Sequence, residues 1–287
     1  MKLRGRGIVI TGASQGFGRA VAEACIREGA HVLLCARDAN LLEQTRDQLA
    51  LLASAGQQVI AQSADVRDSE AVHRLFETAA SKLPQLDGLV NNAGVYGPLG
   101  LLEEAPVAEW WRAIETNLLG VMLGCREILP IFRSQGYGKI VILSGGGATS
   151  PLPRISAYAS SKAAVVRLAE TLAEETRGTG IDVNAIAPGA LNTRLLDEIL
   201  AGGPEKVGAA FFQRALQQKE QGGAPLKCGA DLCVFLLSSA SDGISGKLIS
   251  AVWDPWPDLQ KNADELNQTD IYTLRRIVPA DRGLKWE

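Results

Sequence analysis

The sequence is poor in the residues that build metal centres and disulfide frameworks. Among 287 residues it has two histidines, His31 and His73, and five cysteines. The number of cysteines is odd and no two of them have CxxC spacing, so we expect neither a disulfide scaffold nor a metal site. Most are interpreted as small core residues of a chain in a reducing compartment. The five cysteines are Cys25, Cys35, Cys125, Cys228 and Cys233.

The sequence also lacks a long apolar run and an excess of basic charge. No apolar stretch approaches about 18 residues, so no membrane span is expected. The apolar run near the N-terminus is too short for a signal peptide. Lys and Arg number 29 against 32 Asp and Glu, a formal net charge of −3, whereas a nucleic-acid-binding protein normally presents a basic face. We therefore expect a cytoplasmic protein with a small-molecule partner and with neither nucleic acid nor membrane as a partner.

No repeat or low-complexity linker divides the chain, and short apolar runs alternate with helical patterns. The runs are apolar throughout, which is typical of strands buried on both faces of a parallel sheet. We predict an α/β fold with one doubly wound parallel sheet of about seven strands and helices on both faces. Strands are predicted at 8–11, 31–35, 59–63, 86–91, 139–143, 181–186 and 248–252. Helices are predicted at 19–28, 41–55, 69–82 with Ser69 as N-cap, 107–132 with a bend near Gly120, 156–177 and 230–238.

Two segments interrupt this alternation. Residues 192–227 form a long excursion with two Gly-Gly pairs and an apolar set, and long loops of this kind are usually functional. Residues 253–287 follow the last predicted strand and begin with Trp253 and Trp256 close together. We assign residues 1–252 to one domain. We predict that 253–287 form a C-terminal extension that packs on this domain or on a neighbouring subunit and covers an active site.

A glycine-rich turn, TGASQGFG, follows the first predicted strand and opens the first helix. Its glycines let backbone N–H groups face an anion, and the helix N-terminus behind them favours a pyrophosphate. At the end of the second strand, Arg37 suits the 2′-phosphate of NADP, and Asp38 comes one residue later in a less favourable direction. We therefore predict a dinucleotide site that prefers NADP(H) over NAD(H). The residues of the turn predicted to contact the cofactor are Gly12, Ser14, Gln15, Gly16, Phe17 and Gly18.

Further motifs follow in a fixed order along the chain. They are ADV with Asp65 and Val66, NNAG at Asn91–Gly94, TNLLG with Asn117, YASSK with Tyr158 and Lys162, and PGALNT with Pro188, Gly189 and Thr193. Together with the glycine-rich turn, these motifs resemble those of the short-chain dehydrogenase/reductase family over roughly residues 5–252.

The resemblance implies a seven-stranded Rossmann sheet and hydride transfer between NAD(P) and a carbonyl or alcohol. It places a substrate lid at residues 192–227, and it implies a homodimer or homotetramer. It also implies cofactor contacts at Asp65, Val66, Asn91, Ala93, Gly94, Tyr158, Lys162, Pro188, Gly189 and Thr193.

The YASSK motif carries the predicted acid/base chemistry. Tyr158 and Lys162 are four residues apart, so on a helix they project on one face. Because an ammonium stabilises a phenolate, we predict that Lys162 lowers the pKa of Tyr158 from its ordinary value near 10. Tyr158 then exchanges a proton with the carbonyl oxygen of the substrate. The resemblance implies that Asn117 holds a water that relays protons from Lys162.

The family's third catalytic group is missing from its usual place. The resemblance implies a serine thirteen residues before the tyrosine, and that position holds Gly145. Ser144 is kept as a catalytic candidate, although strand neighbours face opposite sides of a sheet. Alternative replacements are a backbone N–H of the glycine stretch, a water, or the hydroxyl of Thr149 or Ser150. If only the hydroxyl is missing, Gly145→Ser is expected to gain activity on simple ketones.

The motifs favour one function and leave two alternatives. We predict an NADP(H)-dependent oxidoreductase that interconverts a carbonyl and a secondary alcohol, with Tyr158 as the acid/base. Loss of one oxyanion donor costs about 10²–10³ in rate, which slows such an enzyme without abolishing it. One alternative is a cofactor-binding protein with little redox turnover that serves as a sensor or scaffold. The other is a member of the same family with epimerase or dehydratase chemistry.

Overall fold

The computed structural model describes residues 1–285 and contains one sheet of seven parallel strands. The strands are β1 (Gly7–Thr11), β2 (His31–Ala36), β3 (Val59–Ser63), β4 (Gly88–Asn91), β5 (Gly138–Leu143), β6 (Ile181–Ala187) and β7 (Leu248–Ser250). Their order across the sheet is β3-β2-β1-β4-β5-β6-β7. The chain builds one half of the sheet outward from β1 and the other half outward from β4, which confirms the predicted doubly wound sheet. In such sheets the ligand crevice lies at the carboxyl ends of the strands where the order reverses.

Helices cover both faces of this sheet. They are α1 (Gly16–Arg27), α2 (Ala39–Ala50), α3 (Ser69–Lys82), α4 (Val107–Ile114), α5 (Gly120–Gln135), α6 (Ser156–Glu175), α7 (Arg194–Val207), α8 (Ala209–Gln221), α9 (Leu226–Leu237) and α10 (Ala263–Gln268). Helices α1, α2 and α9 bury apolar side chains on one face, and α3, α5 and α6 do so on the other. The fully apolar strands are therefore covered from both sides, as their sequences predict.

Three local predictions need correction. The bend predicted near Gly120 takes the form of a π-helical turn, Glu115–Leu119, between α4 and α5. The N-cap of α3 is Asp68 rather than Ser69, and its carboxylate accepts hydrogen bonds from the backbone N–H groups of Glu70 and Ala71. Residues 192–227 are mostly helical, because α7 and α8 fill them; the chain bends at Gly203 (φ +73°) and Gly208.

The described part of the C-terminal extension, residues 253–285, packs on the preceding domain. Leu259 and Leu266 are buried in the core beside α9, and the Trp256 ring lies 5.7 Å from that of Phe235. Further along, the Tyr272 carbonyl accepts a hydrogen bond of 2.7 Å from the backbone N–H of Leu248 in β7. This contact covers the open edge of the sheet. Residues 286 and 287 of the predicted extension lie outside the described residues.

The composition predicts neither a membrane span nor a metal site. Within residues 1–285, no helix is long and apolar enough to cross a membrane. The same residues contain no cluster of three or more His, Cys, Asp or Glu side chains placed to hold a metal ion. The five cysteines are free thiols, and four of them are buried.

A buried ion pair joins the amino-terminal ends of β5 and β6, at the opposite end of the strands from the crevice. Lys139 is 1% exposed, and its ammonium contacts the carboxylate of Asp182, its register partner on β6. The ammonium also contacts Asp242 at 2.7 Å. A buried cation is tolerated only with such partners, because removal of one leaves an uncompensated charge.

We expect Asp182→Ala to lower the free energy of unfolding by about 3–5 kcal/mol, since it leaves Lys139 buried with one partner fewer. Urea unfolding followed by circular dichroism measures this change. Asp258→Ala is the matched control, because it breaks an ion pair with Lys261 in which both side chains are more than half exposed. The control is expected to change stability little. Equal effects of the two substitutions would contradict a structural role for the buried pair.

Candidate active site

The glycine-rich turn lies at the carboxyl end of β1 and is fixed by Asn92. The amide nitrogen of Asn92 donates to the carbonyls of Thr11 and Gly12 at 2.9 and 3.0 Å. In return, the Thr11 hydroxyl accepts hydrogen bonds from the backbone N–H groups of Asn92 and Ala93. Gly12 has φ +64°, and a Cβ there would lie 2.8 Å from the Asn92 amide, so only glycine fits. Sequence reasoning missed Asn92, since nothing in NNAG distinguishes its two asparagines.

The N-terminus of α1 is suited to an anion. Its N-cap, Gln15, makes no side-chain hydrogen bond, and its first turn contains no acidic residue. The free N–H groups and the positive end of the helix dipole attract a phosphate. A Cβ at Gly16 would lie 3.5 Å from the methyl group of Thr193. The glycine-rich turn and the PGALNT segment therefore border the same crevice, and they fit the diphosphate of a dinucleotide.

Several predicted cofactor residues turn their side chains into the core. The Phe17 ring packs where Gly229 of α9 leaves room, and Val66 packs against Gly120. The Asn91 amide donates to the sulfur of Cys125 at 3.5 Å. These residues can offer a dinucleotide only backbone atoms. Of the remaining predicted contacts, Ser14 and Gly18 belong to the turn, Ala93 and Gly94 follow β4, and Pro188 and Gly189 follow β6.

The end of β2 presents one free positive charge. Arg37 is exposed, and its guanidinium forms no ion pair within residues 1–285. Asp38 caps α2 by accepting a hydrogen bond of 3.0 Å from the backbone N–H of Leu41. The side chain of Arg67 forms hydrogen bonds to both carboxylate oxygens of Asp65, and these bonds hold the pKa of Asp65 below its ordinary value. Both nearby carboxylates thus have protein partners, whereas Arg37 does not.

Tyr158 and Lys162 lie in the first turns of α6, which packs on the carboxyl end of β5. The Lys162 ammonium donates to the Leu143 carbonyl at 2.7 Å and lies 5.5 Å from the centre of the Tyr158 ring. A Cβ at Gly94 would lie 3.6 Å from Lys162 Nζ and 3.4 Å from Asn117 Oδ1. The structure therefore brings the predicted catalytic residues Tyr158, Lys162 and Asn117 together beside Gly94, at the end of β4.

The pKa of Tyr158 shifts in the direction opposite to our prediction. Burial raises the pKa of Tyr158 well above its ordinary value, and the Tyr96 hydroxyl raises it further. Burial also lowers the pKa of Lys162 to about 8. Desolvation disfavours the charged form of each group, which raises the pKa of a phenol and lowers that of an ammonium. Tyr158 is therefore a protonated phenol at neutral pH, the form that can give a proton to a carbonyl oxygen.

Both polar atoms of the Asn117 side chain already have protein partners. Its carbonyl oxygen accepts from the backbone N–H of Val95 at 2.9 Å. Its amide nitrogen donates to the Val95 carbonyl and to the Ser161 hydroxyl, both at 2.9 Å. The side chain thus holds the loop after β4 in place, a role that the sequence does not indicate.

At Gly145, where the resemblance implies a serine, the Tyr158 hydroxyl lies close against the backbone. A Cβ at Gly145 would lie 2.7 Å from the Tyr158 oxygen, closer than real Cβ contacts allow. The Ser144 hydroxyl instead donates to the backbone carbonyl of Lys162 at 3.1 Å. Thr149 and Ser150 are exposed, and Thr149 lines a cavity of about 540 Å³ beside the C-terminal extension. This geometry argues against the catalytic role predicted for Ser144 and against replacement by Thr149 or Ser150.

Apolar side chains from residues 192–227 surround Tyr158 from the other side. The lid cluster, as we call it, combines side chains of α7 and α8 with side chains of the loops that precede α4 and α6. Arg154, with φ +69°, ties these parts together, since its carbonyl accepts from Gly100 N–H and its guanidinium donates to the Glu205 carbonyl in α7. The lid cluster consists of Ile155, Leu196, Ile199, Val207 and Ala215, packed against Tyr96, Leu99, Leu152, Tyr158, Leu200, Phe211 and Phe212.

Comparison with known proteins identifies the family of the chain. Residues 6–202 match the family model described as short chain dehydrogenase. The chain is 36% identical over 234 residues to 3beta-hydroxysteroid dehydrogenase 1 of Eggerthella lenta, which covers 75% of this chain and 88% of that protein. It is 32% identical over 280 residues to short chain dehydrogenase mpl6 of Monascus purpureus, which covers 96% of this chain and 90% of that protein.

Levodione reductase is similar both in sequence and in structure. The protein from Leifsonia aquatica is 32% identical over 248 residues, which cover 85% of this chain and 91% of that protein. A crystal structure of levodione reductase superposes with a TM-score of 0.79 at 28% identity, and it covers 90% of this chain and 99% of that chain. This chain therefore belongs to the short-chain dehydrogenase/reductase family and is an NAD(P)-dependent oxidoreductase that acts on CH–OH groups.

Proposed function

We propose that the protein is an NADP(H)-dependent carbonyl reductase that interconverts a ketone and a secondary alcohol, with Tyr158 as the acid/base. One observation carries this proposal: the Tyr158 hydroxyl lies against Gly145 at the carboxyl edge of the sheet, with Lys162 one helical turn away. Burial keeps this phenol protonated. A partly buried, protonated phenol in the crevice is poised to donate to a carbonyl oxygen.

Tyr158, Lys162 and the lid cluster have different roles in the proposed reaction. The bound nicotinamide supplies a hydride to the carbonyl carbon. Tyr158 holds the carbonyl oxygen and transfers its proton to it. Lys162, whose pKa is about 8 through burial, keeps its ammonium at neutral pH and offsets the negative charge left on the phenol oxygen. The lid cluster excludes water from the reacting atoms, which strengthens these charge interactions.

The substrate side of the crevice favours an apolar ketone. The Tyr158 ring is packed among leucine, isoleucine and phenylalanine side chains of the lid cluster. The name of one relative, a 3beta-hydroxysteroid dehydrogenase, describes an enzyme of a steroid, which is a cyclic and largely apolar compound. We therefore propose a cyclic, largely apolar ketone as the substrate class, with residues 192–227 as its lid and residues 1–252 as the catalytic domain.

The assembly of the protein is also a proposal. A homodimer or homotetramer is supported by apolar side chains that remain exposed on α4 and in the loop before it, namely Leu102, Val107 and Trp111. The C-terminal extension covers part of α6, because the backbone of Leu274 in the extension is hydrogen bonded to Arg167 and Glu170 of that helix. This part of α6 is therefore not available for a subunit contact. A cofactor-binding protein with little turnover remains the alternative, and only the glycine at position 145 favours it.

We expect Tyr158→Phe to lower kcat/KM for reduction of a bicyclic ketone such as 1-decalone by about 10²–10⁴, the contribution of a positioned acid/base. The variant keeps the ring, so NADPH binding measured by calorimetry is expected to stay within a few-fold. Tyr272→Phe is the matched control, because this half-buried tyrosine lies in the C-terminal extension. Tight NADPH binding without turnover by the unmodified protein across a panel of ketones would support the alternative.

Arg37→Ala is expected to weaken NADPH binding by about 10- to 100-fold, because a hydrogen bond to a charged group contributes about 1.5–3 kcal/mol. NADH binding should change little, since Arg37 faces only the 2′-phosphate. Dissociation constants for both cofactors measure the effect. Arg27→Ala, an exposed arginine paired with Glu23 at the end of α1, is the control. If the unmodified protein binds NADH more tightly than NADPH, the cofactor preference is wrong.

The contact at Gly145 predicts that Gly145→Ser lowers activity, whereas the sequence alone predicts a gain. Gly145→Ser places a Cβ 2.7 Å from the Tyr158 oxygen, so Tyr158 must move, and we expect kcat/KM to fall by about tenfold or more, as it does when reacting groups are displaced by about 1 Å. Gly146→Ser is the matched control, because a Cβ at Gly146 meets no atom within 4 Å. An increase in activity of Gly145→Ser would show that Tyr158 adapts and that only the hydroxyl was missing.

A further inference from the structure

The site described above has one proton donor where its chemistry calls for two hydrogen bonds to the carbonyl oxygen. Position 145 has no side chain, and the Ser144 hydroxyl is bonded to the Lys162 carbonyl. The hydroxyl groups of Thr149 and Ser150 are exposed, and Thr149 lines the cavity beside the C-terminal extension. The loop after β4 supplies another hydroxyl-bearing side chain in contact with Tyr158.

Tyr96 is the hydroxyl-bearing side chain that packs directly on Tyr158. The two rings meet edge to face, with centres 4.7 Å apart and planes at 63°. Both belong to the lid cluster, and the Glu198 carboxylate of α7 lies close enough to the Tyr96 phenol to contribute to its raised pKa. The pKa values agree with this proximity, since burial raises the pKa of Tyr96 to about 12 and the Tyr96 hydroxyl adds to the upward shift at Tyr158.

The backbone holds Tyr96 in place from both sides. The preceding residue, Val95, exchanges two hydrogen bonds of 2.9 Å with the side chain of the fully buried Asn117. The following residue, Gly97, has φ +76° and approaches α4 so closely that a Cβ there would lie 2.7 Å from that of Ala113. A residue fixed in this way can present a donor without reorganisation, which is what stabilisation of a developing oxyanion requires.

The Tyr96 hydroxyl is also free to bind a ligand. Neither it nor the Tyr158 hydroxyl has a hydrogen-bond partner within residues 1–285. A phenol packed among apolar side chains usually has a partner for its O–H, and a bound carbonyl oxygen would supply one here.

We propose that Tyr96 is a second catalytic residue, which donates a hydrogen bond to the carbonyl oxygen that Tyr158 protonates and so replaces the absent serine. This inference rests on the proposed reductase function. As the hydride bonds to the carbonyl carbon, the electron pair of the C=O double bond moves to oxygen and takes the proton of Tyr158. Tyr96 keeps its own proton throughout, and the proton lost by Tyr158 is replaced from solvent.

Tyr96→Phe tests the proposal, because it removes the hydroxyl and keeps the ring in the lid cluster. With 1-decalone and NADPH, we expect kcat to fall by about 10²-fold, the cost of one lost oxyanion donor, with KM within threefold. The double variant Tyr96→Phe/Tyr158→Phe should be no slower than Tyr158→Phe, since the two hydroxyls act as one unit. Tyr272→Phe is the control for loss of a remote phenol hydroxyl, and unchanged thermal unfolding of Tyr96→Phe excludes a packing defect.

The outcomes separate this inference from the proposed function. If Tyr158→Phe is inactive and Tyr96→Phe retains kcat within twofold, the reductase function stands and the role of Tyr96 is overturned. If Tyr96→Phe raises KM and leaves kcat unchanged, Tyr96 serves substrate binding and the inference is wrong. If the unmodified protein turns over no ketone of a panel that includes 1-decalone, or if Tyr158→Phe is fully active, the proposed function fails and this inference fails with it.

Discussion

The packing of α6 on the carboxyl end of β5 is the contact on which the rest of the site depends. Lys162 donates to the Leu143 carbonyl, Ser144 donates back to the Lys162 carbonyl, and the Tyr158 hydroxyl rests on Gly145. These contacts bury the Lys162 ammonium beside a partly buried phenol, and within residues 1–285 no carboxylate forms an ion pair with that ammonium. The upward pKa shift of Tyr158 and the downward shift of Lys162 both follow from this burial.

Side-chain amides hold the loops around this contact in place. Asn92 ties the glycine-rich turn to the end of β4, and Asn117 ties the next stretch of the same loop to the π-helical turn between α4 and α5. Each amide forms hydrogen bonds with backbone groups of the loops that have no partner in the sheet. Backbone N–H and C=O groups away from water need such partners. The loop after β4 therefore holds Gly94 beside Lys162 and Asn117, and it holds Tyr96 against the Tyr158 ring.

The sequence predicts the sheet, most helices and the meeting of Tyr158, Lys162 and Asn117, because buried strands and spaced motifs have strong local signatures. It does not predict α7 and α8, since Gly203, Pro204 and Gly208 break their helical pattern and tertiary packing against the lid cluster overrides it. The sign of the Tyr158 pKa shift was also predicted wrongly, because spacing along a helix shows proximity to a charge and says nothing about desolvation.

The absence of a side chain at position 145 leaves room for the Tyr158 hydroxyl. A serine there would hold the Tyr158 hydroxyl away from the strand, whereas glycine lets that hydroxyl approach the backbone of β5. The same approach leaves the Tyr158 ring in edge-to-face contact with Tyr96. Glycine at position 145 and the apolar side chains of the lid cluster thus shape one continuous surface around the Tyr158 ring.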